Sequence, residues 1–277
     1  MPKLNRTIAL LLTALLMQAA NATWIETGYA VESRSGVKQM FVVSVDKGVT
    51  DRNAVKHIVL LLTGGNGVIE PAVDGIKEQK PDRVALRGYM AERLGVVVAV
   101  GLPSDQSQGL SLQWRESEQH VQDVGAVMDV LMKQYPAARV TVLGFSNGTR
   151  SATHIGAALG KKWGARLQGV VLMSPSMEAF RDDWMAALGG STSQTKVPVL
   201  VVHHKRDSCL LFEDVEGQAK SVDFITVDGT KQPRPKVGQR DCGNSSAHQF
   251  GGKEEKVYQS VVDWITTGKL ANLNDDN

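Results

Sequence analysis

The chain has 277 residues, 42% of them apolar, with 31 Lys and Arg against 29 Asp and Glu. That is enough to bury one large core without metals or a dense set of cross-links. The basic residues are spread along the chain rather than gathered into a stripe, which argues against a nucleic-acid partner.

The N-terminus reads as a targeting segment. Lys3 and Arg6 precede an apolar stretch from Ile8 to Met17, and Ala20-Asn21-Ala22 is a small-x-small cleavage site. The apolar run is about half the roughly 20 residues that a membrane-spanning helix needs. Residues 1–22 are therefore expected to be a signal peptide and 23–277 a single mature domain without a stable membrane anchor, placed in the periplasm or secreted. Export in turn favours pairing of the two cysteines, Cys209 and Cys242.

Short β-rich runs then alternate with helical patterns, the signature of an α/β fold with a mostly parallel sheet. The strand candidates are Met40–Val45, His57–Leu62, Gly95–Val100, Val140–Leu143, Val170–Met173 and Val197–Val202. Several are apolar throughout, as strands covered on both faces are. Val121, Val124, Met128, Leu131 and Met132 recur at helical spacing and stop before Pro136. Ser151–Lys162 and Val257–Ile265 are the other helix candidates. Only about two dozen residues separate the Val170 and Val197 strands, which leaves little room for a lid.

The strongest chemical signal is Gly144-Phe145-Ser146-Asn147-Gly148, between a strand and a helix. A serine on such a sharp turn needs small residues two before and two after it, and both are glycine here. The turn would present the Ser146 hydroxyl to a cleft and place the Asn147 N–H at a helix start, where it can stabilise an oxyanion. A second turn, Thr63-Gly64-Gly65-Asn66-Gly67, follows the His57–Leu62 strand. It lacks the G-K-[ST] ending of a phosphate loop. The backbone N–H of Gly65 is the expected second oxyanion donor, with Asn66 as the alternative.

An acid and a histidine should follow the serine in that order. Asp207 lies beyond the end of the Val197–Val202 strand, with Asp182 and Asp183 as rivals. His154 falls on the helix after the turn, and His203 and His204 precede the acid. His248, in a Gly/Ser/Asn-rich loop, remains. Adjacent strand residues point to opposite faces, so His203 and His204 do not converge on a metal. Neither a metal nor another cofactor is expected. A Cys209–Cys242 disulfide would tie the acid loop to the histidine loop.

Together these residues resemble the α/β-hydrolase superfamily, from about Met40 to Ile265. The run His203-His204-x-x-Asp207-x-Cys209, then Cys242 and His248 ahead of Phe250-Gly251, is similar to a set of exported bacterial α/β-hydrolases of largely unassigned function. Arg115, Ser117, His120 and Asp123 fit the same pattern. The resemblance implies an eight-stranded, mostly parallel sheet and a Ser146–Asp207–His248 triad. Two departures stand out. Thr63 replaces the histidine that many lipases and esterases carry before the glycines, and Asn147 is an uncommon residue after the nucleophile.

The expected activity is that of an esterase-like serine hydrolase, cleaving a carboxylic ester or related acyl bond of a small molecule through an acyl-enzyme on Ser146. The alternatives are a catalytically silent binding protein of the envelope and an acyltransferase with the same triad. The short lid region leans towards small or accessible acyl groups. Trp114 and Trp184 could line a pocket but suit helix packing better.

Overall fold

The computed structural model describes residues 23–69, 71–72, 75–76, 81–189, 196–229, 239–243, 245–270 and 273. The expected signal peptide lies outside the described residues. β1 (Trp24–Arg34) and β2 (Val37–Asp46) form an antiparallel hairpin. β3 (His57–Leu62), β4 (Gly95–Pro103), β5 (Arg139–Phe145), β6 (Leu167–Met173), β7 (Val199–His204) and β8 (Asp223–Val227) run parallel to one another. The strand order is β1-β2-β4-β3-β5-β6-β7-β8, giving one sheet of eight strands.

Alternation within the strands assigns each residue to one of two layers. Leu60, Val98, Val142 and Val201 face a layer containing α2 (Glu118–Gln134) and α3 (Gly148–Trp163). Val59, Val97, Leu143 and Val202 face the other, with α1 (Pro81–Leu94) and α6 (Glu254–Thr267). Both layers are built of buried apolar side chains, which is why these strands read as continuous apolar runs. Two smaller helices, α4 (Asp182–Gly189) and α5 (Phe212–Gln218), follow β6 and β7. No helix among the described residues is long and apolar enough to cross a membrane.

Several elements depart from the sequence expectation. β1 carries no clear strand signal because it is half-exposed and polar-laced, and it is ordered by pairing with β2. α1 is similarly interrupted by charge, yet Leu86, Met90 and Leu94 bury one stripe of it. β8 is only five residues long and owes its state to the parallel ladder with β7. β7 also starts and ends two residues later than expected, so His203 and His204 are its last residues.

Candidate active site

The C-terminal ends of β3, β5, β6 and β7 converge on one edge of the sheet. Between β5 and α3 the chain reverses at Ser146, a non-glycine residue with φ of 51°. This left-handed conformation is strained for an L-residue. The turn is held by Ser146 N–H donating to Met173 O (2.9 Å) and Thr149 N–H donating to Ser146 O (2.9 Å). The flanking glycines are sterically required. A Cβ on Gly144 would lie 2.5 Å from Gly148 O, and one on Gly148 would lie 2.1 Å from Leu62 O.

The Gly-rich turn after β3 packs directly against this elbow, since a Cβ on Gly64 would meet Ser146 Cβ at 2.9 Å. Gly65 has φ of +60°. Asn147 Nδ2 donates to Gly65 O across 3.3 Å, joining the turn to the start of α3.

Asp207 sits in the loop beyond β7, 4% exposed. Its Oδ1 accepts the N–H groups of Cys209 (2.8 Å) and Leu210 (3.2 Å), which fixes the carboxylate plane. Its Oδ2 lies 2.7 Å from His248 Nδ1. An ionised carboxylate only accepts, so Nδ1 carries the proton and Nε2 keeps its lone pair. That lone pair faces Ser146 Oγ at 3.0 Å. His248 is itself held from behind by Ser174 Oγ–H, which donates to His248 O (2.8 Å), and the Phe145 ring meets the imidazole edge-on at 5.6 Å. The structure thus brings Ser146, His248 and Asp207 into one hydrogen-bonded series. This arrangement can withdraw a proton from the serine hydroxyl and stabilise the resulting imidazolium.

The two cysteines are joined in a disulfide, Cα to Cα 5.2 Å, between the acid loop and the histidine loop. A cavity of about 30 Å³ lies under the elbow, bordered by Gly64, Phe145, Met173, Gln249 and Phe250. It has room for a water- or methyl-sized group.

Comparison with known proteins gives a consistent result. The family described as serine aminopeptidase, S33, matches residues 105–228, a span that holds Ser146 and Asp207 and stops short of His248. Among solved structures, Est1E from Butyrivibrio proteoclasticus aligns with 13% identity and a TM-score of 0.58, covering 87% of this chain and 98% of that one. An alpha-beta serine hydrolase homologue from Coxiella burnetii aligns with 13% identity and a TM-score of 0.55, covering 85% and 95%. A serine hydrolase without lid from Xanthomonas campestris aligns with 14% identity and a TM-score of 0.53, covering 88% and 95%. The fold is that of the α/β serine hydrolases. None of the curated protein sequences matches it.

Within this fold the remaining expected residues take other places. Asp183 pairs at the surface with Arg181 (3.2 Å). His154 stacks on Trp184 (4.8 Å between ring centres), and burial lowers its pKa. His203 and His204 have separate partners, Leu210 O (3.1 Å) and Gly229 O (3.4 Å). Burial holds both below the usual imidazole range, although Asp207, 3.8 Å from His203, opposes the shift there. His120 is fully enclosed in α2. Burial, then Arg115 and His154, push it down to about 3.

Sequence patterns do not single out Ser174 and give Arg115 no role. Ser174 adopts φ of 44° and supports His248 from the end of β6. No motif marks it, because its task is set by the loop packed over it.

Proposed function

We propose that this protein is a serine hydrolase that cleaves a carboxylic ester, or a related acyl bond, of a small molecule through an acyl-enzyme on Ser146. The observation that carries the reading is the Ser146 Oγ to His248 Nε2 contact of 3.0 Å, backed by the 2.7 Å contact from His248 Nδ1 to Asp207. His248 takes the hydroxyl proton as Ser146 attacks the acyl carbon. The N–H groups of Gly65 and Asn147 stabilise the tetrahedral oxyanion, each worth about 3–4 kcal/mol in comparable sites. His248 then returns the proton to the leaving group and activates water for deacylation. The leader-like N-terminus and the disulfide support an exported, periplasmic or secreted location.

The test is turnover of p-nitrophenyl esters of graded chain length by the mature protein and by Ser146→Ala. Aminoacyl p-nitroanilides belong in the panel because the matching family is described as serine aminopeptidase. Turnover lost in the variant, with fluorophosphonate labelling of Ser146, is the expected result. A wild-type protein that neither turns over nor labels would leave a binding protein built on this fold. Transfer to an added alcohol in preference to water would indicate an acyltransferase.

A further inference from the structure

A buried cation ties the Gly-rich turn to the helix that follows the nucleophile. Arg115 ends a short helical turn (Leu112–Arg115) capped by Ser111, and it is 1% exposed. Its Nη1 donates to Ser151 Oγ on α3 (3.1 Å). Its Nη2 donates to two carbonyls of the turn, Thr63 O (3.1 Å) and Gly65 O (3.1 Å). Among the described residues no carboxylate forms an ion pair with it. Burial and then Arg150 lower its pKa to about 10, so it remains charged at neutral pH. Burying a charge without a counter-ion is costly, and here backbone carbonyls take the place of the carboxylate.

Those two carbonyls flank one peptide unit. Gly64 O, between them in sequence, accepts Gly67 N–H (3.1 Å). Three successive carbonyls therefore each have a donor, and the N–H of the Gly64–Gly65 peptide is left facing away from Gly64 O. Among the described residues it has no protein acceptor. Glycines at 64, 65 and 67 would otherwise let this peptide rotate at little cost. The fit is close on the far side as well, since a Cβ on Gly67 would meet Arg115 Nη2 at 3.0 Å.

We propose that Arg115 is a positioning residue for the oxyanion site: its guanidinium clamps the carbonyls on either side of the Gly64–Gly65 peptide and keeps the Gly65 N–H directed at the reacting carbonyl. The inference rests on the reading of Ser146 as the nucleophile. Arginine suits the task because a planar fork bonds two elements at once with fixed geometry, which a lysine ammonium does not.

The experiment compares wild type, Arg115→Lys and Arg115→Met on p-nitrophenyl acetate, with kcat expressed per site labelled to completion by a fluorophosphonate. Loss of one oxyanion donor predicts a fall on the order of 10²-fold in kcat for Arg115→Met, with KM little changed. Arg115→Lys keeps the charge without the fork and should fall between that variant and wild type. A residue with only a structural role would lower the melting temperature and the labelled fraction, leaving kcat per labelled site unchanged. A folded variant within about twofold of wild-type kcat per site overturns the clamp, and Arg115→Lys decides if Arg115→Met does not fold. Wild-type turnover with unaffected variants defeats this inference alone. A wild-type protein that neither turns over nor labels defeats the hydrolase reading and this inference with it.

Discussion

Opening the Cys209–Cys242 disulfide, by replacing both residues with serine, should affect stability and turnover separately. The bridge closes a loop with a sequence separation of 33. Loop-closure entropy for that length is about 2.1 + 1.5R ln 33, or roughly 12.5 cal/mol/K, which is about 3.7 kcal/mol at 25 °C. For a domain of this size that corresponds to a melting temperature lower by roughly 7–15 °C. The local effect arises because Cys209 N–H donates to Asp207 Oδ1 (2.8 Å), while Asp241 N–H, beside Cys242, donates to Ser208 Oγ (3.0 Å). Without the bridge the acid loop and histidine loop can drift apart, and misplacement by about 1 Å is enough to reduce a rate tenfold to a hundredfold. Urea unfolding at 25 °C gives the first quantity. Initial ester-cleavage rates, measured where the variant is still folded, give the second. A stability loss below about 1 kcal/mol would refute the tether argument. An unchanged kcat would show that the two loops hold their positions without it.

Three other outcomes follow from the geometry. Gly148→Ala forces a methyl to within 2.1 Å of Leu62 O, with backbone on both sides. It should cost about 3 kcal/mol or more and slow fluorophosphonate labelling, so a wild-type melting curve would contradict the close approach. Asp207→Asn keeps an oxygen to accept the Cys209 and Leu210 N–H groups but favours the wrong tautomer of His248. It should cut kcat by about 10⁴ with little change in melting, and a loss of less than tenfold would count against the assigned acid. His120 is held neutral in the folded state down to about 3, against an ordinary value of 6.5. The unfolded chain then binds a proton that the folded one refuses, so this contribution to stability is complete above about pH 6.5 and declines as pH falls. At pH 4.5 the loss is roughly 2–3 kcal/mol from His120 alone. Urea midpoints at pH 7.5 and 4.5 for wild type and His120→Gln should show a shallower acid loss in the variant, and identical pH dependence would exclude His120 as a source.

Patterns that depend on nearest neighbours along the chain are legible in the sequence itself. Apolar runs such as His57–Leu62 and Val140–Leu143 are strands because only a doubly covered parallel sheet buries both their faces. The Gly-x-Ser-x-Gly spacing singles out Ser146, because a strand can turn into a helix that sharply only with small residues on both sides. Asp207 and His248 are reached by their order and their loops, and the structure sets them within hydrogen-bonding distance.

Other features belong to the tertiary structure alone. β1 and β8 are strands because partners complete their ladders, since their own residues are too polar or too few to dictate it. Ser174 gains its part from a histidine loop 74 residues away in sequence. Arg115 fits the sequence pattern of the exported hydrolases, yet nothing in its neighbours along the chain predicts its burial. Only folding brings the carbonyls of Thr63 and Gly65 and the hydroxyl of Ser151 to one guanidinium, because hydrogen-bond partners for a buried charge are set by which elements meet in space.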